Sequence, residues 1–108
     1  MKLFILSRWG NPFDDDGPDG SDTNILVRAP DMKTATMLAD ERFHRIPKEC
    51  EGLSPVANFA QCLRQVGEDP IAKTASVVHG PWIEPMLLQV SSYPAWHRAD
   101  PEENWIQT

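Results

Sequence analysis

Residues 10–22 separate two short apolar runs, and that interruption limits what the chain can build first. The segment carries three glycines, two prolines and five aspartates, residue types that favour turns and oppose regular structure. Lys2 to Arg8, with Leu3, Phe4, Ile5 and Leu6, reads as a strand, and residues 23–28, with Ile25, Leu26 and Val27, repeat that form. If the two pair, the product is a hairpin with an unusually long acidic connection that is mobile at its tip, and connections of that length in small domains are often functional.

From Pro30 the period changes. Met32, Ala35, Leu38, Ala39, Phe43 and Ile46 follow the spacing of one helical face. Asp31 suits the positive end of such a helix, Arg42, His44 and Arg45 suit its negative end, and Pro47 closes it. A second helical pattern follows Ser54 and Pro55, with Val56, Phe59, Ala60, Leu63 and Val66 on one side and Gly67 ending it. Residues 73–79 read as a strand through Ala75 and Val77. Gly80 and Pro81 read as a turn, and residues 86–91 as a fourth strand through Leu88 and Val90. Residues 92–108 read as an irregular tail held by Tyr93, Trp96 and Trp105.

At 108 residues the chain suits a single domain spanning 1–108 with one modest core. The order ββααββ implies an α+β fold: a two-layer sandwich with a mostly antiparallel four-stranded sheet and two helices on one face. Both strands of the hairpin are apolar beyond simple alternation, so the other face also needs cover, and a homodimer across the open sheet face is one way to supply it.

The net charge is −6, and it is unevenly spread. Asp14, Asp15, Asp16, Asp19 and Asp22 with Asp100, Glu102 and Glu103 make up eight of the sixteen acids, which leaves the remainder slightly positive. Arginine and lysine occur as scattered single residues without the basic face that nucleic acid needs. A basic protein partner met by Asp14, Asp15, Asp16 and Asp19 is electrostatically easier. The apolar run after Met1 is shorter than a signal-peptide core and no stretch could span a bilayer, so the expected location is cytoplasmic, with no membrane partner. Cys50 and Cys62 are then expected as free thiols.

No residue pattern reaches a diagnostic level for catalysis, metal or cofactor. Counted from Asp14, the acidic segment has Pro18 and Ile25 where a calcium-binding EF-hand loop needs an acid or Asn and a Glu. Three histidines and two cysteines fall in no zinc-binding spacing, and no glycine-rich phosphate loop is present, so no cofactor or metal is expected. The densest reactive group is His79 and Glu84 with Trp82, followed by Trp96, His97 and Arg98. Arg8, Trp9, Trp82, Trp96 and His97 would line a ligand pocket if they meet at one end of the sheet. The leading expectation is a small acidic binding or interaction protein without catalysis, contacting a protein partner or small ligand through its acidic loop and aromatic strand ends. The alternative is a small enzyme in which His79 or Glu84 exchanges a proton with an organic substrate held by Arg8, Trp82 and Trp96.

Overall fold

A computed structural model describes residues 1–9, 21–46, 58–85 and 94–107. Its described elements are β1 (Lys2–Arg8), β2 (Ser21–Ala29), α1 (Met32–His44), β3 (Cys62–Glu68), β4 (Ser76–Pro85), β5 (Ala95–His97) and β6 (Ile106–Gln107). The strands form one sheet in the order β4-β2-β1-β3-β5-β6, and every pairing is antiparallel.

The hairpin and the first helix form as the residue patterns require. β1 and β2 pair from Lys2 opposite Ala29 to Arg8 opposite Thr23. Directly opposed residues share a face, so Phe4, Leu6, Ile25, Val27 and Ala29 make one apolar surface, and α1 lays Ala35, Ala39 and Phe43 upon it. The helix begins at Asp31, whose Oδ1 accepts from the Thr34 backbone N–H at 2.8 Å, one of the donors that a helix start leaves without a partner.

The four-stranded ββααββ arrangement is overturned by one helix and six strands among the described residues. Three readings account for the difference. Residues 62–66, expected in a second helix, form β3, which lies between β1 and β5. Leu63 is buried on the helix side while Cys62 and Arg64 are buried on the other, and a strand covered on both faces loses the polar and apolar alternation by which strands are recognised. Gly80 and Pro81, expected as a turn, lie inside β4, which among the described residues borders only β2 and so stands at the edge of the described sheet; an edge tolerates the missing proline N–H. The tail supplies β5 and β6 rather than irregular chain. The expected starting residues of the second helix at 54 and 55, the expected fourth strand at 86–91, Cys50 and the acidic residues 14–19 lie outside the described residues.

The tail is attached through a buried charge. Arg98, 4% exposed, donates from Nη2 to Asp40 Oδ2 at 2.7 Å, from Nε to the Ala60 carbonyl at 2.8 Å and from Nη1 to the Pro101 carbonyl at 3.1 Å. Its guanidinium also lies 4.6 Å from the Trp105 ring centroid and 5.5 Å from that of Phe59. The second oxygen of Asp40 accepts from the Ala60 N–H at 2.8 Å, so one helix carboxylate fixes both the approach to β3 and the tail. Trp105 Nε1 then donates to Thr36 Oγ1 at 2.9 Å on the same helix.

Two stability experiments follow from this framework. Replacing one member of a buried ion pair leaves the other charge without compensation, so Arg98→Ala should cost about 3 kcal/mol in urea unfolding; a loss under about 1 kcal/mol, the worth of an exposed pair, would show that Arg98 does not anchor the tail. Asp69 provides the second. Backbone hydrogen bonds from Ala72 and Ile71, with Arg28 beside it, hold its carboxyl below the usual carboxylate range. A carboxyl depressed in the folded state adds stability above its unfolded pKa, and that stability is lost as pH falls through the folded value. Asp69→Asn should therefore lower stability at neutral pH and flatten the decline on acidification below the ordinary carboxylate range. Parallel pH–stability curves for the two proteins would assign the decline to other groups.

Candidate functional site

Strand direction brings most of the expected site residues to one end of the sheet. Arg8 ends β1, Cys62 begins β3, Pro85 ends β4 opposite Ser21, and His97 ends β5 opposite Cys62 and Ile106. Trp9, Trp82, Glu84 and His97 thus belong to the end from which residues 10–20 depart and to which they return. Trp96 lies one residue further in, opposite Leu63.

Sharing an end does not bring these residues into one pocket, because the sheet divides them by face. Arg8 and Trp96 face the helix. Arg8 is fully buried, with its guanidinium 5.4 Å from the Phe43 ring centroid, and Trp96 packs against the core. On the opposite face the register lines up Trp82, Asn24, Ser7, Cys62, His97 and Ile106 across all six strands. Four inter-strand steps separate Trp82 from His97, about 19 Å at the usual strand spacing.

The middle of that row is sealed. Ser7 and Asn24 are fully buried and Cys62 is 6% exposed, while Ser7 Oγ donates to Asn24 Oδ1 at 2.5 Å. Cys62 forms no disulfide among the described residues. His97 beside it is half-buried, and its Nδ1 has no hydrogen-bond partner among the described residues. These positions escape a search for local motifs, since Ser7, Cys62 and His97 meet only through sheet register.

The accessible part of the expected site lies on β4 and at Trp9. His79 is exposed and Trp82 half-buried, with ring centroids 5.3 Å apart and planes at 31°. Val78 beside them is 42% exposed. Glu84 stands opposite Asp22, whereas His79 stands opposite Leu26, a separation of about 14 Å along the strand. Any substrate exchanging protons with both would have to span that length. Trp9, 39% exposed, is fixed through its backbone N–H, which donates to Gln61 Oε1 at 2.8 Å.

Gly80 allows the ring pair to form. Its φ of 109° and the register shift between Asn24 and Leu26 turn the strand between His79 and Trp82. A Cβ at Gly80 would lie 2.8 Å from the Asn24 carbonyl oxygen and 3.1 Å from Trp82 Cε3. Glycine is thus required both by the backbone angle and by the closeness of the neighbouring strand.

Among the described residues no group of three or more His, Cys, Asp or Glu side chains is placed to hold a metal ion, and no helix is long and apolar enough to cross a membrane. No protein-family model matches the chain, nor does any curated protein or solved structure.

Gly80→Ala should cost about 2 kcal/mol, combining the left-handed penalty for a residue with a Cβ and the displacement of backbone. Loss of the His79–Trp82 ring-current shifts in a proton NMR spectrum would accompany it. Unchanged stability together with unchanged shifts would mean that the β4 distortion does not depend on glycine.

Proposed function

We propose that this protein is a non-catalytic interaction module that receives an extended, basic and aliphatic segment of a partner protein along the outer edge of β4. The observation that carries the proposal is the strip of Val78, His79 and Trp82 on an edge strand: one aliphatic and two ring side chains that solvent reaches. Aromatic residues backed by a rigid strand are effective anchors because they bury a large area with little loss of rotamer freedom.

The backbone of β4 supports the same mode of binding. Among the described residues β4 pairs only with β2, so its other edge offers N–H and C=O groups to an added strand, as in β-augmentation. Pro81 removes one donor, which confines regular pairing to residues 76–79 and leaves Trp82 as a side-chain anchor beyond them.

Charge selects the partner's chemistry. Residues 10–20 hold Asp14, Asp15, Asp16 and Asp19, and they are tethered at Trp9 and Ser21, the end of the sheet that also holds Trp82. A basic segment lying on β4 would therefore be attracted along its approach, and association would slow as salt screens the field.

A synthetic peptide alternating lysine and valine provides the test by biolayer interferometry. Val78→Glu changes an exposed side chain and Trp82→Ala removes the anchor; each should weaken binding by about 2 kcal/mol, roughly thirtyfold in Kd. Replacing Asp14, Asp15, Asp16 and Asp19 together by Asn should lower the association rate at low salt and leave dissociation nearly unchanged. Equal binding by the wild type and the Val78→Glu variant would remove β4 from the interface. Self-association that Val78→Glu abolishes would instead assign the edge to a second copy of this chain.

A further inference from the structure

We infer that the groove between α1 and the start of β4 binds an amphiphilic organic anion, a carboxylate carried on a short aliphatic chain. Leu38, Glu41 and Arg42 of α1 and Arg45, which caps its C-terminus, follow one another at helical spacing and form a single stripe. Facing them are Ala75, Ser76 and Val77, and the two sides flank an open groove of about 350 Å³. That volume lies within the range of small-ligand sites, and the groove faces the helix side of β4, away from the exposed Val78, His79 and Trp82 strip.

The lining has two chemical parts. Leu38, Ala75 and Val77 are half-buried and pack against the main core, which gives the groove an apolar floor. The two arginines supply the polar part, but they are not equivalent. Arg45 is exposed and engaged by Glu41 one helical turn earlier. Arg42 is half-buried, and among the described residues its guanidinium makes no hydrogen bond or ion pair. A planar cation beside apolar walls and without a carboxylate of its own is suited to a forked pair of hydrogen bonds from a ligand carboxylate.

Opposing charges determine what kind of anion fits. Arg42 lies in the last turn of α1, where the helix carbonyls present partial negative charge, and Glu41 adds a full one. A small, strongly hydrated anion gains too little from one arginine to overcome both. An aliphatic chain over Leu38, Ala75 and Val77 adds burial that does not depend on charge. The groove therefore favours a ligand with both parts over either part alone.

Octanoate, titrated below its critical micelle concentration and followed by two-dimensional amide NMR, is the probe. The expected result is saturable one-to-one binding, with shifts concentrated at residues 38–45 and 75–77, while acetate and 1-octanol bind at least tenfold more weakly. Arg42→Gln should weaken octanoate about tenfold, the worth of a charge-assisted hydrogen bond. Arg42→Lys, which keeps the charge without the fork, should fall between the two, and Ala75→Phe should abolish binding by filling the groove. Thermal unfolding of each variant checks that it remains folded. Octanoate affinity unchanged in Arg42→Gln, equal affinity for 1-octanol, absence of saturable binding, or shifts confined to Val78, His79 and Trp82 would each overturn the assignment. The Lys-Val peptide should bind Arg42→Gln as it binds the wild type, so loss of the groove and loss of the β4 edge give separate results.

Discussion

One carboxylate, that of Asp40, ties the helix to two parts of the chain that are distant from it in sequence. It projects from the middle of α1, accepts from the Ala60 N–H on the approach to β3, and accepts from Arg98 just beyond β5. Taking a guanidinium out of water is costly, and the attraction of one carboxylate rarely repays it alone. Here the remaining donors of Arg98 reach the Ala60 and Pro101 carbonyls, and its faces meet the rings of Phe59 and Trp105. Each of these contacts depends on the others being in place. Without the cluster, the three-residue β5 and two-residue β6 would have too few ladder bonds to stay on the sheet, since short ribbons are marginal in water.

Because the tail is anchored in this way, β3 lies inside the sheet rather than at its rim, as β1 does between β2 and β3. Interior strands between covered faces must bury whatever side chains they carry, and the chain carries Ser7, Asn24, Cys62 and Arg64 there. Ser7 satisfies Asn24 directly, an arrangement available only because β1 and β2 place these residues opposite one another. The two rims differ accordingly. β6 ends the described sheet after two residues, which leaves little edge to pair, whereas β4 runs for ten and among the described residues is interrupted by Pro81 and the distortion at Gly80. Long edges are usually blunted more thoroughly, and this asymmetry is why the proposed interaction is placed on β4 rather than β6.

Local signals were legible in the residues, and signals that depend on distant partners were not. The hairpin of β1 and β2 is carried by two contiguous apolar runs, and α1 by a capping aspartate and a 3.6-residue period, so each is complete within its own segment. β3 resembled a helix because Ala60, Leu63 and Val66 recur at three-residue intervals; in the structure Leu63 faces α1 while Cys62 and Arg64 are buried against the opposite side. Gly80-Pro81 has the chemistry of a turn, and only the position of β4 at the rim lets it stay within a strand. Arg98 gave no warning of its role, since Asp40 lies 58 residues away. Among the expected site residues, the sharing of one sheet end followed from strand direction, but their division between two faces required the register.

The same register explains what the tryptophans do. Trp96 opposes Leu63 and Trp105 reaches Thr36, so both are directed to the helix side and absorbed by packing. Trp82 opposes Asn24 on the other face and is left to stack on His79 at the rim. An indole costs free energy when exposed and gains it when a partner displaces the water above it, so the structural tryptophans stabilise the isolated chain while Trp82 contributes only part of its area. The difference is set by strand position rather than residue type. Along β4, Val78, His79 and Trp82 therefore leave aliphatic and ring surface that solvent reaches, on a strand that β2 pairs and whose Val77 packs against the core from the other face.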